Sequence, residues 1–332
     1  IMNHPEFKLD HRLMLDKINF DDGTVNCYGE VYPIKDTNLP TIDPADPYKL
    51  SPEEEEVMVA LEASITNSKK LQEHINFLYT HGALFTTYNG NLLFHGCIPF
   101  TEDGDFMEVT IAGKTNHGAG LMRQLDQELR EVYFNPRCDL DKADAANLMW
   151  YLWLGPDSPL FGKDKMTTFE RLFIADKSTH KEHTVPYYKL IKNKDICIKI
   201  IRDFDLDPSK GIILNGHVPV KIKDGESPIK GEGKLIVIDG GISKAYQKTT
   251  GIAGYTFIFN SWFMALSEHE PYHPLQPDGT QEFNNPNIVT THTLPARMLI
   301  IDTDIGKVLQ SQIDDLQQLN AEFRKGTIKE VY

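Results

Sequence analysis

The sequence predicts an α/β fold, because short apolar runs of strand type alternate with amphipathic stretches of helical type. Three of these runs, "GIILN", "KLIVID" and "GYTFIFN", are separated by polar or glycine-rich connections. Of the 332 residues, 40% are hydrophobic and 25% are charged, which is typical of a protein with a full hydrophobic core. Periodicity indicates mixed strands and helices but does not by itself separate α/β from α+β.

The first 82 residues are expected to form short strands, a proline-rich loop and one long helix. "GTVNCYGEVYPI" suggests a hairpin, and "NLPTIDPADPYKLSP" reads as the loop. A helix should start at Ser51, because a serine cap is followed by Pro52 and by acids over the positive end of the helix dipole. This helix is expected to run to about His81, where Gly82 ends it.

Residues 83–270 are expected to hold strand-end loops with inserted helices. Asn89-Gly90 between two apolar runs is a strong signal for a type I′ hairpin, which leaves His95 at the far end of a strand. Helices are expected over "GLMRQLDQELREVYF", "DKADAANLMWYLWLG" and "VPYYKLIKNKDICIKIIRDFDL".

Residues 271–332 should form a loop rich in Pro, Asn and Gln, then a strand at "ARMLIIDT" and an amphipathic terminal helix. No apolar run approaches the roughly 18 residues that a membrane-spanning helix needs. No secretory signal pattern opens the chain, and its four cysteines form no CxxC pair. These observations predict a cytoplasmic protein with reduced thiols and no membrane partner.

The charge balance narrows the classes of partner. The chain has 34 Lys and Arg against 48 Asp and Glu, a formal net charge of -14. A nucleic-acid partner needs a basic surface and is therefore not expected. A phosphorylated ligand would need a local cluster of cations or a bound metal to offset the acidic field.

Two motifs suggest chemistry that the residues do not support. "EVTIAGKTNHGAG" resembles a phosphate-binding loop, but Glu108 occupies the place of the first required glycine. Cys97 lies two residues after His95, and neighbours at that spacing on a loop rarely reach hydrogen-bond geometry. We interpret Cys97 as a buried small side chain. A thiol enzyme that uses Cys97 remains an alternative that alkylation tests.

Two segments place a histidine in the same local setting. "NLLFHGCIP" and "GIILNGHVPVK" each run an apolar strand into a loop with His, Gly and then Pro. Rigid strand ends fix imidazole ligands, and a neighbouring glycine admits close approach. His95 and His217 are therefore candidate metal ligands. Asp239, after the strand in "VIDGG", is interpreted as the anchor of a turn.

Longer stretches carry a specific resemblance, which extends in order from "LPTIDPADPYKLSPEEEE" to the final helix. The chain resembles the class III fructose-1,6-bisphosphatases of Gram-positive and related bacteria, a branch of the calcineurin-like metallophosphoesterases. The stretches that carry it are "YNGNLLFHGCIPF", "WYLWLGPDSPLFGKDKMTTFERLF", "NGHVPVKIKDGESPIKGEGKLIVIDGGISKAYQKTTGIAGYTFIFNS" and "SEHEPY".

The resemblance implies a fold of two packed mixed sheets flanked by helices, with a dinuclear manganese or magnesium site. His95 in "FHGCIP" matches the family's strand-end HGG-x-P motif, with Cys97 at its second glycine, and His217 in "NGHVP" matches its later GH motif. The implied reaction is hydrolysis of the 1-phosphate of fructose 1,6-bisphosphate, a step of gluconeogenesis.

The D-x-H, G-D-x-x-D and N-H-E patterns that would supply carboxylate partners are absent from this sequence. The resemblance implies that the family's other ligands come from an earlier half with D-x-H, G-D and G-N-H motifs, which this chain lacks. We therefore expect residues 1–332 to be the C-terminal portion of such an enzyme, with no catalytic residue of its own beyond the two ligands. This portion should be inactive without its partner, the N-terminal half. The oligomeric state stays open, with a homo-oligomer as one option.

A sugar bisphosphate needs cations for the phosphate that is not cleaved. Lys163, Lys165 and Arg171 in "LFGKDKMTTFER" and Lys244 in "GGISKAYQ" are the candidate substrate-binding residues. The alternative from another class is a non-catalytic regulatory or assembly domain that keeps the metallophosphatase fold.

Overall fold

A computed structural model of the chain confirms the α/β class and describes residues 2–135, 139–270, 278–279 and 287–328. The strands are β1 Ile18–Asn19, β2 Thr24–Cys27, β3 Glu30–Pro33, β4 Phe85–Tyr88, β5 Asn91–Phe94, β6 Val109–Ile111, β7 Lys114–Asn116, β8 Ile213–Asn215, β9 Ile229–Lys230, β10 Leu235–Val237, β11 Gly254–Phe259, β12 Phe263–His269 and β13 Ile288–Thr293. The helices are α1 Pro52–Thr66, α2 Lys69–His81, α3 Gly118–Phe134, α4 Asp139–Leu154, α5 Thr168–Phe173, α6 Tyr187–Leu190, α7 Lys194–Asp203, α8 Lys244–Thr250 and α9 Asp304–Arg324.

The chain divides into two units, and neither is a single stretch of sequence. The first unit is Ile1–Phe85 with Gly96–Leu190, and the second is Thr86–His95 with Ile191–Tyr332. The predicted division into segments 1–82, 83–270 and 271–332 stays a prediction. Most of the predicted loop between Pro271 and Pro286 lies outside the described residues.

The first unit is built on an antiparallel three-stranded sheet and several helices. Strands β1, β2 and β3 pair in sequence order, and β6 pairs with β7 in a separate hairpin. Its described core includes a cluster of buried apolar residues, namely Met14, Val25, Cys27, Ile34 and Ile174. The hairpin at "GTVNCYGEVYPI" is therefore confirmed.

The second unit contains the mixed sheet on which the candidate site lies. Its strand order is β4-β5-β8-β10-β9, where β8 runs parallel to both β5 and β10 and β9 is antiparallel to β10. The central strands of this sheet are apolar on both faces, as parallel strands buried on both sides require. Side chains of β8, β10 and α7 are fully buried, among them Ile213, Leu235, Ile236, Ile200 and Ile201. A second sheet of this unit, β11-β12-β13, is antiparallel.

The hairpin signal at Asn89-Gly90 is confirmed. Both residues adopt left-handed backbone angles, with φ of 49° at Asn89 and 78° at Gly90, as a type I′ turn requires. The stretch that resembled a phosphate loop is also a hairpin, because Ala112 and Gly113 take the same left-handed turn between β6 and β7. A strand on each side of that turn, rather than a helix start, agrees with the rejection of a phosphate loop.

The long helix predicted to end near His81 is wrong in one respect, because it is two helices. The start is as expected: the Ser51 side chain accepts the Glu54 N–H at 3.2 Å, and the Glu54 carboxylate accepts the Ser51 N–H at 2.8 Å. The break falls at Asn67-Ser68, after a run of serine and threonine. The Ser64 hydroxyl donates to a carbonyl within the preceding turn, and such local bonds compete with helix propagation.

The predicted strand at "ARMLIIDT" is wrong. Ile300–Asp302 forms one turn of 3₁₀ helix, since the Asp302 carboxylate accepts the Leu299 N–H at 2.8 Å. Thr303 then caps α9 by accepting the Gly306 N–H at 3.0 Å. These side-chain hydrogen bonds stabilise helical turns here, and the apolar run is too short for its pattern alone to identify the secondary structure. Within the described part of the chain, no helix is both long and apolar enough to cross a membrane.

Candidate metal site

The mixed sheet brings the two predicted histidines to one edge. Phe94 of β5 lies beside Asn215 of β8, so the two parallel strands end at the same level. Adjacent parallel strands direct their following loops to the same edge of the sheet. His95 comes directly after β5, and His217 comes two residues after β8.

The two imidazole rings are in direct contact. His95 Nε2 lies 2.9 Å from His217 Nδ1, within hydrogen-bond distance, and the rings meet edge to face with their centroids 4.8 Å apart. One nitrogen of this pair must carry the shared proton while the other accepts it. The structure thus brings together the two residues that the sequence predicts as ligands.

The loop after β8 is held against the backbone of His95. The Gly216 N–H and the Asn215 side-chain amide both donate to the His95 carbonyl, at 3.0 and 3.1 Å. A side-chain carbon at Gly216 would lie 3.4 Å from that oxygen, which is an ordinary van der Waals contact. His217 has a left-handed φ of 67°, an unusual backbone state that clusters at functional sites. The loop therefore fixes where His217 presents its ring.

The surroundings favour the neutral form of His95. Partial burial of the ring lowers the pKa of His95, and the neighbouring His217 lowers it further, while the charge of Asp239 acts in the opposite direction. Asp239 also accepts the Gly241 N–H at 2.8 Å, which is the turn-anchoring contact expected from the sequence. A neutral imidazole is the form that can bind a metal ion.

The separation of the two nitrogens fits two ligands of one ion. Two nitrogens 2.9 Å apart that each lie about 2.1 Å from a common ion subtend about 90° at that ion, the cis angle of an octahedral site. The donor set is two imidazoles, which suit several divalent transition metals. Among the described residues, no group of three or more His, Cys, Asp and Glu side chains is arranged to hold a metal. Two imidazoles alone would be only part of the ligand set of such an ion.

The predicted substrate-binding cations of the first unit are each engaged within that unit. Lys163 Nζ lies 2.8 Å from a Glu182 carboxylate oxygen, and Arg171 lies 3.8 Å from the other. Lys165 Nζ sits 3.8 Å from the centroid of the Tyr28 ring. Their role in substrate binding stays a prediction. For Lys244, the backbone begins α8, but the side chain lies outside the described residues.

Cys97 is buried, as predicted. Burial raises the pKa of the Cys97 thiol to about 12, so almost none of it is thiolate at neutral pH. Its Sγ lies 3.7 Å from the Ser158 carbonyl. These properties argue against Cys97 as a nucleophile.

One buried cluster of charged side chains in the first unit is not predicted by the sequence. The Glu170 carboxylate has no exposed side-chain surface, and Arg12 donates to both of its oxygens, at 2.6 and 3.2 Å. The Tyr28 hydroxyl donates to the same carboxylate. Arg12 and Glu170 are 158 residues apart, and nothing in the pattern around either residue indicates the other.

Comparison with known proteins gives the class of protein first. A family model described as Firmicute fructose-1,6-bisphosphatase matches residues 1–325. The chain belongs to this family. No solved structure matches the chain.

Curated relatives give a more particular likeness. The chain is 51% identical over 332 residues to the class 3 fructose-1,6-bisphosphatase of Clostridium tetani (strain Massachusetts / E88), covering 99% of this chain and 50% of the relative. It is 48% identical to the proteins of the same description from Clostridium botulinum (strain 657 / Type Ba4) and Clostridium novyi (strain NT), with the same coverage.

The chain therefore spans about half the length of the curated relatives it matches. This comparison does not support the expectation that the chain is specifically the C-terminal portion. The alignment covers 99% of the chain and 50% of the relative, and it does not identify which half of the relative is matched. The predicted N-terminal partner finds no support there either. The homo-oligomer stays a prediction.

Proposed function

We propose that the protein to which this chain belongs hydrolyses the 1-phosphate of fructose 1,6-bisphosphate, in gluconeogenesis. We further propose that His95 and His217 bind a divalent metal ion of its active site, manganese or magnesium. Family membership and the description of the relatives support the reaction. The 2.9 Å contact between two imidazole nitrogens at parallel strand ends supports the ligand assignment.

The role of the two histidines follows from their protonation. Each imidazole offers one lone pair only when neutral, and the lowered pKa of His95 keeps that ring neutral over a wider range of pH than an exposed histidine. Nε2 of His95 and Nδ1 of His217 would hold the ion, and the proton that one of these nitrogens carries in the hydrogen bond would move to the other nitrogen of the same ring. A divalent ion held there would supply activation of a water molecule and neutralisation of charge on the phosphoryl group.

A calcineurin-like metallophosphatase arrangement is part of this proposal. The mixed sheet, with histidines in the loops that follow two adjacent parallel strands, supports it. The two imidazoles would then be completed by ligands from elsewhere in the protein.

The test uses the complete gene product that contains this chain. We expect His95→Gln and His217→Gln each to lower the bound metal, measured by mass spectrometry of the purified protein, together with hydrolysis of fructose 1,6-bisphosphate by at least about 100-fold. His292→Gln is the matched control, because His292 is exposed on β13 and should leave both unchanged. Wild-type metal content and turnover in both site variants would overturn the ligand assignment.

The alternative is a non-catalytic regulatory or assembly domain of the same fold. The small ligand set among the described residues is the observation that favours it. The same experiment separates the two functions. A complete gene product that binds fructose 1,6-bisphosphate or metal without any hydrolysis would support the regulatory function and contradict the enzyme.

A further inference from the structure

Helix α9 is attached to the second unit through its first turn. The Asn89 N–H donates to the Asp304 carboxylate at 2.6 Å, and the Asp304 N–H donates to the Asn89 side-chain oxygen at 3.0 Å. Gly306 is the one residue of α9 that is buried in the described structure. From Lys307 to Arg324 the helix therefore extends with its side chains largely in solvent.

One side of this exposed helix is apolar. Its large apolar side chains are between 46% and 63% exposed, and they are Ile305, Val308, Leu309, Ile313, Leu316, Leu319 and Phe323. At 3.6 residues per turn these side chains fall within an arc of about 140°. An unpacked helix of 21 residues has little stability of its own in water, so an apolar side of this extent needs a covering surface.

The spacing of the apolar residues is that of a coiled coil. Counting Leu309, Leu316 and Phe323 as position a of a heptad places Ile305, Gln312 and Leu319 at position d. Five of these six core positions are apolar, and a single polar residue at a core position is a common device for fixing register. The pattern is complete within α9, so a second α9 can supply the facing residues.

The flanking charges favour a parallel pair of identical helices. Position g carries Val308, Asp315 and Glu322, and position e carries Ile313 and Asn320. In a parallel pair, position g faces position e of the other helix, which sets Val308 against Ile313 and Asp315 against Asn320. In an antiparallel pair, position g faces position g, which would bring acidic side chains together. The parallel arrangement avoids this like-charge contact.

The area involved is sufficient for a weak dimer. A helix of 21 residues is about 31 Å long and about 12 Å across, so an arc of 140° along it covers roughly 450 Å² in each copy. The exposed Leu299, Ile300 and Ile301 at the base of α9 add apolar surface beside it. The total approaches the roughly 1,000 Å² that specific interfaces bury.

We propose that α9 pairs with α9 of a second copy of this chain as a parallel two-stranded coiled coil. The residues at positions a and d form its seam, namely Ile305, Leu309, Gln312, Leu316, Leu319 and Phe323, and the residues at positions e and g flank it. This interface does not depend on the metal site, so its test and the test of the proposed reaction fail independently.

Sedimentation velocity of the complete gene product that contains this chain, over a range of concentrations, tests the proposal. We expect a dimer that dissociates on dilution, and we expect Leu316→Glu to weaken the dimer by at least about 100-fold because it sets a charge in the seam. Ala321→Glu is the control. Ala321 lies on the far side of α9, so this substitution places the same charge outside the seam. Far-UV circular dichroism checks that both variants stay folded.

The orientation is tested by oxidative cross-linking of Leu319→Cys. A parallel pair places residue 319 beside its own copy, within disulfide distance, whereas an antiparallel pair separates the two. We expect a disulfide-linked dimer, which supports the proposal. A wild-type chain that is monomeric at high concentration, a dimer unaffected by Leu316→Glu, or a dimer in which Leu319→Cys forms no cross-link would each overturn it.

Discussion

His95 Nε2 and His217 Nδ1 lie 2.9 Å apart, although 122 residues separate the two histidines along the chain. The contact exists because β5 and β8 are parallel neighbours that end at the same level. A hydrogen bond between two imidazoles requires that at least one of them is neutral. The protonation of each ring is therefore coupled to that of the other.

This coupling predicts the effect of removing one ring. We expect His217→Gln to raise the pKa of His95, because the repulsion by a charged neighbour is lost while Asp239 still attracts the proton. Titration of the His95 ring by NMR, in metal-free protein, measures the shift. Asp239→Asn should move the pKa of His95 in the opposite direction. An unchanged titration in both variants would contradict this account of the site.

The left-handed backbone at His217 predicts a difference between two small replacements. We expect His217→Gly to be more stable than His217→Ala by about 1 kcal/mol, because glycine adopts a φ of 67° without strain and alanine does not. Both variants lose the imidazole, so side-chain contacts cancel in the comparison. Urea unfolding of the two proteins gives the difference. Equal stability would mean that the backbone at this position carries no strain.

A pH-dependent contribution to stability is expected at Glu182. Burial raises its pKa, but hydrogen bonds from Lys163 and Thr167 outweigh burial and lower the pKa to about 2. Since the folded pKa lies below that of the unfolded chain, the stabilisation is present above about pH 4.5 and is lost as the pH falls toward 2. Glu182→Gln should therefore cost about 1–2 kcal/mol at pH 7 and much less near pH 2, measured by urea unfolding. A cost that does not change with pH would exclude the ionised carboxylate as its source.

The loss of a buried ion pair and the loss of an exposed ion pair should differ sharply in their effect on the free energy of unfolding. Arg12→Met leaves the buried Glu170 carboxylate without its main partner and should destabilise the protein by about 3–5 kcal/mol. Lys69→Met removes a pair on the exposed surface of α2, where the lysine is 91% exposed, and should cost less than about 0.5 kcal/mol. Unfolding free energies measure both, and similar losses would show that Glu170 is not held as a charged group.

Local features of the fold could be predicted from the sequence, since their causes lie within a few residues. The Ser51 cap, the Asn89-Gly90 turn and the setting of His95 and His217 at strand ends all have such causes. The break at Asn67-Ser68 was missed, because serine and threonine weaken a helix without marking a definite end.

The remaining features depend on residues that are distant in sequence. The hydrogen bond between the two histidines follows from the pairing of β5 with β8, which a single sequence does not reveal. The Arg12–Glu170 pair is of the same kind, because a buried carboxylate looks like a surface carboxylate until its partner is known. The prediction of a strand at "ARMLIIDT" failed for the opposite reason, because a short apolar stretch fits a strand or a turn equally well.

The β4–β5 hairpin has a consequence for how this protein can be divided. Residues 86–95 belong to the second unit, yet segments of the first unit precede and follow them. No single cut in the gene separates the two units, and a fragment that starts at residue 191 lacks both β5 and His95. A fragment that stops at residue 190 would keep β5 but lose β8, which leaves the fully buried Leu92 on an unpaired edge and invites aggregation. A truncated or recombined protein therefore preserves both units only if it keeps residues 1–85 together with residues 86–332.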